Sequence, residues 1–397
     1  MFTPVSIAGA GVISAIGNNI SQHLASFEKE EAGMQQRRYL QSVHDLPVAE
    51  VKLSNTALAD KAGMPDHISR TALLSAVAAM EAVEATGLKD LSRWRTGFIS
   101  ANTVGGMDKT EDFYAAWMQD PAKGRLRDLV HHECGAATEL AADRLGIKNY
   151  LSTISTACSS SANSIFFAAR LIRQGFLDIA VAGGVDSLTR FTLNGFNTLM
   201  ILDKQYCQPF DEHRRGLNLG EGAGYVVLVS DEVAATLPHP PFCALSGYSN
   251  ANDAYHQTAS SPDGTGSYMA MKGALEKAGL TTGDIDYINL HGTGTANNDI
   301  AEGTAIKRLF EGAYPKMSST KSFTGHTLGA SGALEAVFSV LAIRYGIVYP
   351  NLRLETPMPE LPFTPETRFR KGEAIRHVLS NSFGFGGNCS SLVFSKM

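Results

Sequence analysis

Leu151-Ser-Thr-Ile-Ser-Thr-Ala-Cys-Ser-Ser-Ser161 passes from an apolar, β-branched run into a helical one. Leu151 to Ala157 shows no polar alternation beyond small hydroxyls, and predicts a buried strand. From Ser159 the apolar positions Ala162, Ile165, Phe166, Ala169 and Ile172 share one helical face, and Gly175 stops the pattern. This places Cys158 at a helix N-terminus. Free backbone N–H groups and the helix dipole there favour a thiolate over a thiol. The amide of Cys158 can also face a thioester oxygen, as half of an oxyanion hole. A cysteine taken at random is more often a small core residue. The small side chains around this one, at a strand-to-helix turn, argue for a nucleophile.

The same plan recurs downstream. Met317 to Lys321 reads as a strand, followed by a turn and a helix ending at Tyr345-Gly346. Both helices close on an Arg-x-Gly pattern, Arg173-Gln-Gly175 and Arg344-Tyr-Gly346. Asp286 to Leu290 is a strand running into a turn, as Thr96 to Ala101 is earlier. Val5 to Val12, Leu177 to Ala182, Gly224 to Val229, Val378 to Phe383 and Ser391 to Phe394 are further strands. Ile20 to Phe27 and Thr71 to Ala85 have helical spacing. Leu237-Pro-His-Pro-Pro241 punctuates the chain. It divides residues 1–236, with Cys158, from residues 237–397, with His291, Lys321 and His326. Alternating strands and helices in two similar halves predict a layered α/β fold with sites at strand-to-helix junctions.

The 397 residues exceed what one small core needs, so two domains or a duplicated one is expected. Hydrophobic residues at 44% and charged ones at 18% describe an ordinary globular chain. The net charge of −5 argues against nucleic-acid binding, which needs a basic face. Cys134, Cys158, Cys207, Cys243 and Cys389 are scattered without C-x-x-C spacing. They read as reduced thiols of a cytoplasmic protein, not as a disulfide framework or a zinc site. The chain starts without a basic stretch, so no signal peptide is read there. The most apolar helix, Ala333 to Ile343, contains Glu335 and is expected to be too short to span a bilayer.

Two histidines lie in glycine-rich turns, His291-Gly-Thr-Gly-Thr295 and Lys321-Ser-Phe-Thr-Gly-His326. Each follows a strand. Neutral imidazoles with N–H donors could hold a thioester carbonyl and stabilise an enolate. Lys321 is expected to be buried and paired, with Glu302 as its partner. Asp299 and Glu302 are one helical turn apart and share a face. Thr293 and Thr295 join Asp299 as supporting residues of the same turn. Zinc would need three or four converging ligands, and no such spacing is present. His131-His132-Glu133 is discounted because adjacent residues on a helix point apart. Gly9-Ala-Gly11 lacks the third glycine of a dinucleotide site, Ser14 standing near its place. No cofactor and no metal are expected. Near the C-terminus, Asn381-Ser-Phe-Gly-Phe-Gly-Gly-Asn388 carries two phenylalanines in a glycine-rich loop. The amide of Phe385 would complete the oxyanion hole, with Phe385 and Phe383 as gate residues of an apolar tunnel.

In combination these stretches resemble the elongating β-ketoacyl-acyl-carrier-protein synthases of the thiolase-like superfamily. The resemblance is carried by Thr156-Ala-Cys-Ser-Ser160, Pro209-Phe-Asp211, Gly220-Glu-Gly-Ala-Gly224 and Asn252-Asp-Ala-Tyr-His256. It continues through His291-Gly-Thr-Gly-Thr295 with Asp299 and Glu302, Lys321-Ser-Phe-Thr-Gly-His326, and Asn381-Ser-Phe-Gly-Phe-Gly-Gly387. The set runs in family order over nearly the whole chain. Its Cys-His-His combination is similar to the elongating enzymes; the initiating enzymes have an asparagine for one histidine.

The resemblance implies a five-layered αβαβα fold, a homodimer or a heterodimer with a related subunit, and an acyl-carrier protein as partner. It implies that an acyl group moves to Cys158, that malonyl-carrier protein loses carbon dioxide, and that the carbanion attacks the acyl thioester. The chain, fatty acyl or polyene, grows by two carbons. Two alternatives are weighed. A non-catalytic chain-length partner would lack the active cysteine. A thiolase acting on coenzyme A would need a second cysteine, for which Cys389 is the one candidate.

Three stretches depart from the family pattern. Gln208 stands where a basic residue commonly helps to dock the carrier protein, with Arg70, Arg214 and Arg215 as substitutes. Gly386-Gly-Asn-Cys389 replaces Gly-Gly-Thr-Asn. The Gly105 to His132 region carries Asp108, Asp112, Arg125, Arg127, Asp128, His131 and His132. A few of these are expected to make the tunnel polar, which suits an aryl polyene.

Overall fold

A computed structural model describes residues 3–397. The chain runs β1 (Val5–Ser14), α1 (Ile20–Glu28), α2 (Asn55–Ala62), α3 (Arg70–Glu84), β2 (Thr96–Ala101), α4 (Met107–Gln119), α5 (Cys134–Arg144), β3 (Tyr150–Ile154), α6 (Ser160–Arg173), β4 (Ile179–Asp186), α7 (Arg190–Thr198), β5 (Gly222–Val229) and α8 (Asp231–Ala234). It continues with β6 (Cys243–Asn252), α9 (Thr265–Ala278), β7 (Tyr287–Asn289), α10 (Ala296–Phe310), β8 (Lys316–Ser318), α11 (Lys321–Thr324), α12 (Ser331–Tyr345), β9 (Ile347–Val348), β10 (Arg370–Lys371), β11 (His377–Phe383) and β12 (Asn388–Ser395).

The repeat read from the sequence is present in the strand order. The first five strands lie in the order β3-β2-β4-β5-β1, and the second set repeats it as β8-β7-β11-β12-β6. The pairing senses repeat too. β2 is parallel to β3 and β4 as β7 is to β8 and β11, and β4–β5 and β5–β1 are antiparallel as β11–β12 and β12–β6 are. The two sets join through a short antiparallel seam, Val5, Ser6 and Ile7 against Leu245, Ala244 and Cys243. α3 and α5 cover the outer face of the first set, and α9 with α10 that of the second. α6 and α12 fill the layer between. The fold is therefore the five-layered αβαβα arrangement.

Close approach explains much of the small-residue usage. Gly9 and Gly11 lie inside β1; a Cβ on them would sit 2.2 Å from the carbonyl oxygens of Ala82 and Ala78 on α3. They serve helix-to-strand packing rather than a phosphate.

Two expectations need correction. β3 ends at Ile154 and is only partly covered, Leu151 being 39% exposed. It is the edge strand of its set, so it lacks the second neighbour that would bury it. The apolar helix is also longer than its sequence pattern indicates. A 3₁₀ turn extends it to Leu328–Tyr345, 18 residues, long enough by composition to cross a membrane. Burial, not length, assigns it to the core: 89% of that window is buried inside the protein.

Candidate active site

The middle layer brings the predicted residues together. α6 and α12 occupy equivalent places in the repeat, and their N-terminal ends meet. The Ala333 N–H donates to Ser161 Oγ at 2.8 Å, and a Cβ on Gly332 would stand 2.9 Å from the Ala162 nitrogen. Cys158 precedes one helix and His326 the other, so the meeting of helix ends joins them. His291 enters from the end of β7. Ligand-capable atoms of Cys158, His291 and His326 all lie within 4.8 Å of one another, and all three residues are buried. The imidazole rings meet edge to face at 5.5 Å. No sequence spacing foretold this three-way convergence.

A sharp elbow presents the thiol. Ala157 adopts φ +54°, a strained left-handed conformation for a residue with a side chain. The turn is braced by Ser160 Oγ, which accepts from the Thr156 N–H at 2.7 Å, and by Ser159 Oγ, which donates to the Thr156 carbonyl at 2.8 Å. The N–H groups of Phe385 and of Cys158 itself face the sulfur. They favour a thiolate, as does the Lys321 charge, yet burial outweighs them and pushes the thiol up to about 11. The resting group is thus the thiol, contrary to the expectation from the helix dipole. The N–H groups stabilise the charge as it forms.

The histidine tautomers follow from their partners. His326 Nδ1 accepts from the Leu328 N–H at 3.0 Å, a donor that cannot reverse its role, and faces Ser331 Oγ at 3.2 Å. His291 Nδ1 faces the Lys321 ammonium at 3.2 Å, which can only donate. Each ring therefore carries its proton on Nε2. Burial, reinforced by the Lys321 charge, lowers both histidines well below their usual pKa, so both stay neutral. A metal would need the Nε2 lone pairs, which would move the His291 proton onto the nitrogen facing an ammonium. The donor set suits hydrogen bonding to an oxygen instead.

Lys321 is buried as expected, but its partner is Glu335 on α12, not Glu302. Glu302 is committed elsewhere. Its carboxylate accepts from the His291 and Gly292 N–H groups at 2.9 and 2.8 Å and from Asn381 Nδ2 at 3.0 Å. Asp299, one turn earlier on α10, accepts from the N–H groups of Phe210, Thr293 and Gly294. The shared face was read correctly. Its work is to hold the histidine turn, and α10 is capped by Thr295, whose hydroxyl meets Thr293 Oγ1 at 2.9 Å. Burial raises both Glu302 and Glu335 to about 7.

The glycine-rich loop closes over the elbow. A Cβ on Gly384 would sit 3.1 Å from the Thr156 oxygen. Asn388 Oδ1 ties the loop down by accepting from Ser159 Oγ, Asn163 Nδ2 and Asn250 Nδ2 at 2.7, 3.0 and 2.8 Å. Phe383 packs on His291 with centroids 5.8 Å apart, and Phe385 stacks on Phe196 of α7 at 5.8 Å and 17°. A cavity of about 260 Å³ opens here, with Cys158, His291 and His326 in its wall beside Thr293, Thr295 and both phenylalanines of the loop.

Other expectations fall away from this cavity. None of the polar residues singled out between Gly105 and His132 lines it. Asp108 instead accepts the Arg70 N–H and borders a separate cavity. Arg70 cannot serve as a docking cation: it is buried, its guanidinium held by Glu221, Asn55 and the carbonyls of Val51 and Leu53. Arg214 is spent on the carbonyls of Asp211, Thr295 and Ala296. Arg215 lines the mouth, half exposed and paired with Asp203. Cys389 is buried on the far side of Phe383 and does not reach the cavity.

Glu335, Asn388 and Phe196 were missed as site residues. Glu335 had a signal, a lone carboxylate in an otherwise apolar helix, which requires a cation. Asn388 and Phe196 had none, because their roles arise from long-range packing.

Comparison with known proteins gives a consistent result. Residues 3–234 match the model of the beta-ketoacyl synthase N-terminal domain, and residues 242–355 that of the C-terminal domain. A 3-oxoacyl-[acyl-carrier-protein] synthase 2 of Rhizobium meliloti (strain 1021) is 39% identical over 315 residues, 76% of this chain and 74% of its own. The protein of the same name from Staphylococcus aureus (strain N315) is 33% identical over 408 residues, 99% of this chain and 98% of its own. Among solved structures, the ishigamide ketosynthase/chain length factor covers all of both chains with a TM-score of 0.94 at 28% identity. A ketosynthase in complex with its chain length factor, from Xenorhabdus doucetiae, superposes with a TM-score of 0.87 at 32% identity over 99% of this chain and 98% of its own.

Proposed function

The chain belongs to the β-ketoacyl synthase family, and from that premise we propose how its residues divide a decarboxylative condensation. The protein is a condensing enzyme. It joins an acyl thioester on the enzyme to malonyl-acyl-carrier protein and releases a β-ketoacyl-acyl-carrier protein and carbon dioxide.

Cys158 attacks the incoming acyl thioester. Its proton passes to the departing carrier thiolate, and the acyl group stays on Sγ. Malonyl-carrier protein then enters with its thioester carbonyl toward His291 and His326. Carbon dioxide leaves, and its bonding pair flows into an enolate whose oxygen accepts from the two Nε2–H groups. The enolate carbon attacks the acyl-Cys158 carbonyl. The oxyanion so formed accepts from the N–H groups of Cys158 and Phe385. It collapses with loss of the Cys158 thiolate, which takes up a proton. Lys321 and Glu302 orient His291, Asp299 steadies the turn, Thr293 and Thr295 line the approach, and Phe385 with Phe383 gates the acyl chain. The observation that carries this reading is the placement of two Nε2–H donors around one thiol, with two backbone N–H groups facing its sulfur.

The division at 236/237 is read as the boundary between two thiolase-like halves, one bringing the nucleophile and the other the histidines. A second ketosynthase-like subunit would pair with the β3 edge and cover the exposed Tyr114, Trp117, Leu126 and Val130. The carrier protein would dock at the cavity mouth near Arg215, and this chain, whose cysteines are all free, would work in the cytoplasm. Retention of Cys158 weighs against a non-catalytic chain-length partner.

Intact-protein mass spectrometry after incubation with a panel of acyl-carrier proteins tests the assignment. A mass gain equal to the acyl group, absent from Cys158→Ala, is expected. No adduct with any acyl-carrier protein in the panel would refute it.

A further inference from the structure

We infer that Glu111, on α4, sets the closed position of the Phe385 gate by holding the N-terminus of α7; it is a positioning residue for the condensation. The inference rests on the proposed gating role of Phe385.

α7 is short, and little of it is buried. Among its nine residues only Thr192 and Leu193 are buried. The N–H groups of its first turn have no partners within the helix and need acceptors. Thr189 Oγ1 takes the Thr192 N–H at 3.1 Å. The Glu111 carboxylate takes the other two, Arg190 N–H at 3.1 Å and Phe191 N–H at 2.6 Å. The guanidinium of Arg190 adds a contact to the same carboxylate at 3.4 Å. A carboxylate at a helix N-terminus gains from the charged hydrogen bonds and from the dipole. Leu193 anchors α7 in a small apolar cluster, and Glu111 is the side chain from another helix that takes its first-turn amides.

The far end of α7 carries Phe196, which stacks on Phe385. Both rings line the cavity at Cys158. The loop beneath Phe385 is soft, with Gly386 and Gly387 both in the left-handed region at φ +79° and +78°. The Phe385 ring is therefore held from outside its own loop, by Phe196, and Phe196 is placed by α7. Glu111 to α7 to Phe196 to Phe385 is a continuous physical chain, ending at the N–H that faces the Cys158 sulfur.

Loss of the pin should uncouple the two halves of the reaction. Malonyl-carrier protein would lose carbon dioxide before an acyl-Cys158 is in place. The carbanion would then take a proton and leave as acetyl-carrier protein.

Glu111→Gln removes the charge and leaves one acceptor oxygen for two N–H groups. The measurement is carbon dioxide released per ketoacyl product, with melting temperature alongside. The ratio should rise roughly two- to fivefold, the scale of a helix N-terminal charge interaction. Phe196→Leu should raise it similarly, and the double variant should not exceed the larger single effect, because both act on one element. Asp112→Asn, whose carboxylate lies 4.0 Å from Arg190 without touching the helix amides, should leave the ratio unchanged. A folded Glu111→Gln variant with the parental ratio would overturn the inference. So would independent effects that multiply in the double variant. Phe385→Ala separates the two readings. An unchanged ratio there removes the gate itself; a raised ratio there with none in Glu111→Gln removes only the pin.

Discussion

The Lys321 ammonium faces His291 Nδ1 across 3.2 Å, and so determines which nitrogen of that ring is left for substrate. A lysine buried to 2% exposure cannot do this without a counter-charge, and Glu335 supplies it from the first turns of α12 at 3% exposure. One ion pair thereby connects the middle-layer helix to the protonation of the His291 ring.

Glu335→Ala should destabilise the protein by roughly 3–5 kcal/mol, the cost of leaving a buried charge unpaired. Replacing both partners, Lys321→Met with Glu335→Leu, should restore most of that stability. Carbon dioxide release should remain slow in the double variant, because His291 Nδ1 has lost its donor. Denaturant titration and decarboxylation assays on both variants check this. A double variant that is both stable and fast would show that the pair does not set the tautomer.

Cys158→Ala should abolish condensation, since the acyl group has no attachment point. Cys158→Gln should still release carbon dioxide from malonyl-carrier protein, because that step draws on the histidines and not on the thiol. Product formation by the alanine variant, followed by mass spectrometry of the carrier protein, would exclude Cys158 as nucleophile.

His291→Ala and His326→Ala should each slow decarboxylation on the order of 10²–10³, the usual effect of losing one oxyanion donor. Transfer of the acyl group to Cys158 should survive at least in part. A near-parental rate of carbon dioxide release in either variant would contradict the donor role.

The pH dependence follows from the direction of each shift. Both histidines are held well below 6.5, so they remain neutral as pH falls from 8 to 6.5. By NMR, His291 and His326 of Cys158→Gln should show no imidazolium over that range; any fall in carbon dioxide release there belongs to Glu302 and Glu335, whose carboxyls burial raises to about 7. A histidine at its ordinary pKa would be half protonated at about pH 6.5. The thiol, pushed up to about 11, behaves oppositely. Its alkylation by iodoacetamide in the parent enzyme should rise about tenfold per pH unit through pH 9, with no plateau near neutrality.

Much of this could be read from the chain. The repeat was visible because strands, turns and helices recur in one order, and Cys158, His291 and His326 because each ends a strand beside small residues. The partner of Lys321 was misjudged for a physical reason. Glu302 is nearer in sequence to the histidine turn, but its oxygens are needed by the His291 and Gly292 amides, and sequence does not display backbone demand. The edge position of β3 was hidden because apolar runs look alike whether a sheet or a second subunit covers them. The thiol's upward shift was missed because the helix end was legible from local pattern, while burial depends on the whole fold.

The meeting of α6 and α12 has an evolutionary and mechanical consequence. Two copies of one scaffold point equivalent helix ends at the same few ångströms, yet their cargo has diverged. In the division of labour proposed above, the first copy stores the electrophile and the second generates the carbanion. Substitutions at Cys158 should therefore show mainly as lost loading, and those at His291 and His326 as lost carbon dioxide release. Damage to the short contact around Ala162 and Gly332 should impair both together.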